Sequence, residues 1–293
     1  MKDGELIRKL RKERNITQKK LVNEQYSRSS LARIEIEELD MKTDMLIYFL
    51  DRMNISLEEY QTYKFKSNSE LSKKDEIKKD FMIKILNNTT SNEFIETLQD
   101  TYQQTNDIYY LHLYCLGRIL QYKMNNEHID LSEESNIIKK HLSKIESWGY
   151  FEFSMYTNSL FLFPNEFIQQ QYKYVLQKIE LFSNSTKFNH LKIRFLINSI
   201  IISLERNHLE FVDQYLIELF ESTRDNDYIL GRIFWKFFKD LKNKIEKNEF
   251  FDVTFTYNWL LSLGYDDLAN NLLDIEKIIN KNSRLKYQRN TND

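Results

Sequence analysis

The side chains best suited to chemistry in this chain gather between Asn15 and Glu35, in NITQKKLVNEQYSRSSLARIE. Arg28 and Arg33 can each bond the O6 and N7 of a guanine together. Ser29 and Ser30, or a helix N-terminus, can take a phosphate. Spacing predicts two short helices joined by a tight turn to carry these groups. Thr17 can cap the first by accepting an orphan backbone N–H, and Ser27 can cap the second. Leu21 and Val22 face inward on the first helix, Leu31 and Ile34 on the second, which leaves Arg28, Ser29, Ser30 and Arg33 outward. That is helix-turn-helix geometry, suited to a DNA major groove. An ordinary antiparallel helix pair with a solvated face would show the same spacing, and both readings stay open at this point.

A second set lies far along the chain, where polar residues are stranded on apolar helices. Asn158 sits amid Phe153, Tyr156, Leu160 and Phe161, and Asn198 amid Phe195, Ile197, Ile200 and Ile201. Arg194 precedes Asn198 by one turn, and Arg232 follows Tyr228 by one turn. Each buried polar group needs a partner. An Asn amide can bond both the N–H and the C=O of an extended peptide, and an Arg can take a carboxylate. The structural alternative is that the two Asn satisfy neighbouring helix ends and each Arg pairs with a nearby Glu.

Signatures of catalysis are missing. The five His, at 112, 128, 141, 190 and 208, fall into no ligand spacing. There is no Gly-rich phosphate loop and no Gly-x-Ser-x-Gly. Asp266-Asp267 and Glu133-Glu134 stand where acids suit the start of a helix. The single Cys115 rules out an intrachain disulfide and a Cys-based zinc site, and reads as a buried small hydrophobe. We expect no enzyme, no metal and no cofactor.

The elements that must position these groups are helices. The chain has 293 residues, 41% of them hydrophobic, with 20 Phe and 18 Tyr but only five Gly and one Pro. So few turn formers disfavour a β-rich fold. Residues 1–35 hold ten Lys or Arg and five Asp or Glu, while the whole chain stands at −2. A basic head on an acidic body suggests a polyanion partner for the head alone. Leu6, Ile7 and Leu10 mark a first helix, Leu46 to Leu50 a fourth, and Ile55, Leu57 and Tyr60 a fifth. The fifth opens on a capping box of Ser56 and Glu59. Five helices over residues 1–65 make a small all-α domain, with a polar linker at 66–72. From 73 to 293 the pattern predicts helices at 73–87, 92–104, 106–124, 134–146, 149–163, 165–182, 187–206, 208–223, 226–247, 249–263 and 265–280. Joints at Asn87-Asn88-Thr89, Trp148-Gly149, Asn207-His208 and Gly264 separate them. Such pairs, recurring at this interval, predict stacked helical hairpins, a tetratricopeptide-like α-solenoid with a concave groove.

Two stretches carry a family resemblance. Leu10 to Glu35, followed by LIYFLDRMNISLEEY, resembles the helix-turn-helix domain of the Xre/repressor superfamily. More narrowly it is similar to the Rgg/GadR/MutR regulators, whose longer turn ends in Ser-basic-Ser. WGYFEFSMYTNSLFLFPNEFI (Trp148–Ile168) and the ending RIFWKFFKDLKN to FTYNWLLSLGYDDLANNLL resemble the same family's C-terminal repeats, so the likeness covers nearly the whole chain. The resemblance implies that Arg11 pairs with Glu35, and that Gln18 holds a phosphate. It also implies that Arg28, Ser29, Ser30 and Arg33 face the groove. With Thr17 these form the candidate DNA-binding set. Val22, Ile36-Glu37 and the loop from Met41 to Met45 depart from the family's pattern.

The resemblance further implies a cytoplasmic homodimer that binds promoter DNA and, in several members, a short re-imported peptide. Asn158, Arg194, Asn198, Tyr228 and Arg232 are the candidate peptide-binding residues, since related helical-repeat receptors use such Asn clamps. Phe250, Phe251, Phe255, Trp259 and Leu260 are expected at the dimer contact. The apolar stretches are too short and too interrupted to span a membrane, and the charged N-terminus lacks a signal-peptide h-region. The alternative class is a non-catalytic helical-repeat adaptor that binds another protein.

Overall fold

A computed structural model describes residues 2–36, 39–66, 73–86, 91–125, 130–247 and 254–290. Every regular element among them is helical and none is a strand, as the all-α reading expects. Compactness divides the chain into two units, Met1–Thr90 and Ser91–Asp293. The expected linker falls, past Lys66, outside the described residues, as do the joint at 87–89 and Phe250 and Phe251.

The first unit runs α1 (Asp3–Glu13), α2 (Gln18–Val22), α3 (Arg28–Glu35), α4 (Thr43–Arg52), α5 (Leu57–Lys66) and α6 (Lys73–Leu86). Leu6, Ile7 and Leu10 of α1, Leu21, Leu31 and Phe49 are wholly buried together. Each such side chain contributes roughly 1.5–3 kcal/mol relative to exposure. Both expected caps form: the Thr17 hydroxyl accepts from Lys20 N–H at 3.2 Å, and Ser27 from Ser30 N–H at 3.0 Å. Ser56 caps α5 through Glu59 N–H, but the Glu59 carboxylate pairs with Arg14 at 3.3 Å instead of closing the box. Gly4 lets α1 lie directly on α3, because a Cβ there would meet the Ile34 carbonyl oxygen at 1.9 Å. Met41 packs against this core and Lys42 precedes α4, so the atypical 41–45 loop leads directly into the next helix.

With so little glycine, asparagine takes the left-handed positions at turns. Asn15, Asn23, Asn54, Asn106 and Asn207 all have φ between 48° and 56°, and Gly264 has φ 77°. Asn tolerates that region because its short amide bonds locally to the backbone.

The second unit runs α7 (Asn92–Thr105), α8 (Ile108–Asn125), α9 (Ser132–Leu142), α10 (Tyr150–Ser159), α11 (Asn165–Glu180) and α12 (Thr186–Glu205). It continues through α13 (Val212–Ser222), α14 (Ile229–Glu246), α15 (Thr254–Ser262) and α16 (Asp266–Asn290). The helices α8, α10, α12 and α14 pack on one another in succession, with α7, α9, α11 and α13 between or beside them. Central α12 buries Leu191, Ile193, Phe195, Leu196, Ser199, Ile200, Ile202, Ser203 and Leu204, apolar on most of its surface as a core helix must be. Cys115 is fully buried and burial pushes its thiol up to about 12, the inert packing role expected of it.

Two boundaries fall short of the periodicity. The helix expected at 134–146 stops at Leu142, whose carbonyl accepts the Trp148 indole N–H at 3.2 Å. The helix expected at 149–163 stops at Ser159, whose hydroxyl turns back onto the Met155 carbonyl at 2.7 Å, and a 3₁₀ turn Leu160–Leu162 follows. Arg206 holds that turn, donating at 2.7 Å to each of the Phe161 and Phe163 carbonyls and the Asn165 Oδ1.

Candidate DNA and ligand interfaces

The helix-turn-helix stands on a buried ion pair. Arg11 donates to Glu35 through Nε at 2.6 Å and Nη2 at 2.8 Å, and its Nη1 bonds the Ile16 carbonyl at 2.8 Å. Both residues are buried, and this fork fixes α1 against the end of α3. Glu35 has a further acceptor site, which Gln18 Nε2 fills at 2.9 Å. Gln18 Oε1 in turn faces Arg28 Nε at 3.4 Å. Arg28, Ser29 and Arg33 are exposed on α3, and Ser30 is half-buried. Ser29 and Ser30 hydroxyls both lie against Ser27 Oγ, at 3.0 and 2.7 Å. The chain therefore presents two arginines and a serine cluster on the open side of a short, capped helix. Thr17 is spent as the α2 cap, and its hydroxyl stays exposed.

The second candidate set is arranged along α12. Tyr150 at the start of α10 packs on Phe188 at 5.6 Å between centroids and carries Lys187 Nζ 3.8 Å above its ring. Near the other end, Asn198 Nδ2 donates to the Thr157 carbonyl at 3.1 Å. Those two contacts make α10 and α12 parallel. The Asn198 bond satisfies one of the orphan carbonyls at the α10 C-terminus, the structural role weighed above for it, and leaves its Oδ1 to accept. Asn158, the next residue after Thr157, is half-buried and makes a 3.4 Å contact to Ser154 Oγ. Arg194 is exposed and, among the described residues, makes no hydrogen bond or ion pair. The Tyr228 hydroxyl lies 3.2 Å from Asn189 Nδ2, and its ring meets His190 edge-on at 5.3 Å. Tyr228 also lines a cavity of about 340 Å³ with Asn189, Lys192 and Ser222.

Three of the five expected residues thus lie on or against α12: Tyr228 on His190, then Arg194 and Asn198, while Asn158 follows in sequence the Thr157 whose carbonyl takes the Asn198 amide. Arg232 does not join them. Its guanidinium caps the end of α13, donating to the Thr223 carbonyl at 2.8 Å and the Phe220 carbonyl at 2.9 Å, and lies 3.9 Å over the Phe220 ring. Its partners are backbone carbonyls rather than the Glu weighed at the sequence level. Reasoning from the chain alone missed Lys187 and His190, which share the accessible α12 stripe with Arg194, Asn198 and Ile201. Their three- and four-residue spacing was the available signal.

At the far end of the unit, Phe255 is 85% exposed and Trp259 41%, with Leu263, Tyr265 and Ile278 also open. Leu260, expected beside them at a dimer contact, is 1% exposed and belongs to the unit's own core. Its position one residue after Trp259 turns it inward on α15. Among the described residues no group of three or more His, Cys, Asp or Glu could hold a metal ion, and no helix is long and apolar enough to cross a membrane.

Several solved structures share this fold. A protein assigned as a transcriptional regulator in Listeria monocytogenes EGD-e superposes with a TM-score of 0.79 at 18% identity, covering 95% of this chain and 97% of that one. The Streptococcus dysgalactiae SHP pheromone receptor Rgg2 gives 0.71 at 15% identity, covering 94% and 98%. PrgX in its complex with cCF10 gives 0.71 at 14%, covering 95% and 92%. No curated protein sequence matches the chain. Residues 95–250 match the family described as HTH-type transcriptional regulator Rgg, C-terminal domain, which is more than half of the sequence. The chain belongs to the Rgg family of helix-turn-helix transcriptional regulators.

Proposed function

We propose that this regulator binds promoter DNA as a homodimer in the cytoplasm and responds to a short apolar peptide held on the open face of α10, α12 and α14. The observation that carries the DNA reading is the capped α3, with Arg28 and Arg33 exposed and its base locked by the Arg11–Glu35 pair. Thr17, Gln18, Ser29 and Ser30 complete that surface. Family membership supports it, because the family is one of transcriptional regulators rather than enzymes. The peptide reading is supported by the fold shared with a pheromone receptor and with PrgX, which was solved with cCF10 bound. It is supported in this chain by exposed Arg194, which makes no hydrogen bond or ion pair among the described residues, and by the Oδ1 of Asn198, on the same α12 stripe as Ile201. Tyr228 closes one end of this stripe. Arg232 contributes by holding the α13 end in place. In functional terms we assign residues 1–65 to DNA and 73–293 to ligand and dimer contacts.

The test is a gel shift with the upstream region of the chain's own gene, with and without the peptide encoded by any short neighbouring reading frame. Retarded DNA whose mobility or affinity changes with peptide supports the reading. A folded protein that shifts no duplex, selected or native, favours a helical-repeat adaptor instead.

A further inference from the structure

Gln18 is fixed in an orientation that its own chemistry would not impose. A carboxamide can present either its oxygen or its NH2 to a neighbour, and the two ends are close in shape. Here one neighbour is the Glu35 carboxylate, whose two oxygens already accept from Arg11. The Gln18 NH2 must therefore turn to Glu35, and it does so at 2.9 Å. That leaves Oε1 toward α3, where the facing side chain must be a donor. Arg28 supplies one, with Nε 3.4 Å away. Glu35 cannot swing to release the amide, because the two bonds from Arg11 hold it and both residues are buried. The order of donors thus runs from Arg11 to Glu35, from Gln18 to Glu35, and from Arg28 to Gln18.

We propose that Gln18 is a positioning residue for Arg28, and so sets which base pair this regulator discriminates. This rests on the reading that α3 enters a DNA groove. An exposed arginine has many rotamers, and ordering it costs free energy for each bond it forms. Anchoring Nε to Gln18 Oε1 leaves the two terminal nitrogens, the pair that can span guanine O6 and N7. The buried ion pair thereby acts on recognition at a distance, through one amide. If Gln18 instead serves only as a phosphate ligand, its loss weakens every duplex alike.

The experiment selects duplexes from a random pool with the full-length parent protein, then measures affinities for all single-base variants of the selected site. The position where Arg28→Ala loses discrimination identifies the Arg28 base pair. Gln18→Ala is expected to lose about tenfold discrimination at that same pair, and little elsewhere. In an Arg28→Ala background, Gln18→Ala is expected to remove no further discrimination there. Gln18→Met, which keeps length but not the amide, is the second variant in case Ala loosens the unit, and thermal melting checks both. Uniform loss across the panel with discrimination intact overturns the proposal, as does additive loss in the double variant. A parent protein that enriches no sequence overturns the DNA reading itself, and this proposal with it.

Discussion

Arg28 and Arg33 are the side chains on which sequence recognition would turn. Replacing either with Ala should cost roughly 1–3 kcal/mol of specific affinity, since each can make a bidentate base contact. Their exposure on α3 means that melting temperature should hardly change, and calorimetry with a selected duplex separates the two effects. In the second unit, Asn198→Ala and Asn158→Ala should each weaken peptide binding while DNA affinity without peptide stays as in the parent. Asn198→Ala should also lower stability by ~1 kcal/mol, because the Thr157 carbonyl loses its donor. Unchanged peptide affinity in both variants, measured by fluorescence polarisation, would remove these residues from the site. His112 makes a different prediction. Burial, and secondarily nearby His141, push its imidazole down to about 3, so it is neutral in the folded chain. An unfolded His titrates near ~6.5, so below that pH the unfolded chain takes up a proton that the folded chain refuses. Stability should fall on acidification, by ~1.4 kcal/mol per pH unit in that window from this residue. Urea midpoints between pH 7 and 5 should therefore fall less steeply for His112→Leu than for the parent.

Helix ends decide much of the architecture. Arg232, Arg206 and Trp148 each satisfy backbone carbonyls where a helix stops, and each does so from a different element. Arg232→Ala should destabilise the second unit by roughly 1.5–3 kcal/mol, the scale of charge-assisted bonds left without a donor. Denaturant unfolding should show this with no peptide present, which distinguishes a cap from a ligand contact. Gly4 is the reverse case, a residue needed for what it lacks. Its substitution by Ala forces α1 off the Ile34 backbone, and overpacking of this kind costs roughly 1–3 kcal/mol or more. A lowered melting transition of the N-terminal unit would be the readout, with α13 and α14 unaffected.

For the whole molecule, one short recognition helix would read too few base pairs for useful specificity, so the proposed DNA binding predicts two copies on an imperfect inverted repeat. The open aromatics of α15, Phe255 and Trp259, with Tyr265, form an apolar surface that a second copy could cover. Light scattering of the parent at micromolar concentration should give a dimer mass. Phe255→Asp with Trp259→Asp should shift it toward monomer and reduce operator affinity, while helix content remains. A parent that runs as a monomer would count against pairing.

Local chemistry in the sequence determined the class of this protein and most of its elements. Caps at Thr17, Ser27 and Ser56, the stripes of Leu6, Ile7 and Leu10, and the Leu263-Gly264 turn follow from spacing and backbone preference, which neighbours in sequence control. The Arg11–Glu35 pair was legible through family resemblance. Tertiary structure decided what depends on partners distant along the chain. Asn198 reaches Thr157, Arg206 reaches Phe161, and Arg232 turns to the end of α13 rather than to the α12 stripe. No periodicity encodes those choices, because they depend on which carbonyls another helix leaves without a donor. Leu260 turned inward and Trp259 outward for the same kind of reason: the packing of α15 on α16, not hydrophobicity, chose between two adjacent apolar residues. The Gln18 amide shows it most directly, since only the fold places a carboxylate on one side of it and an arginine on the other.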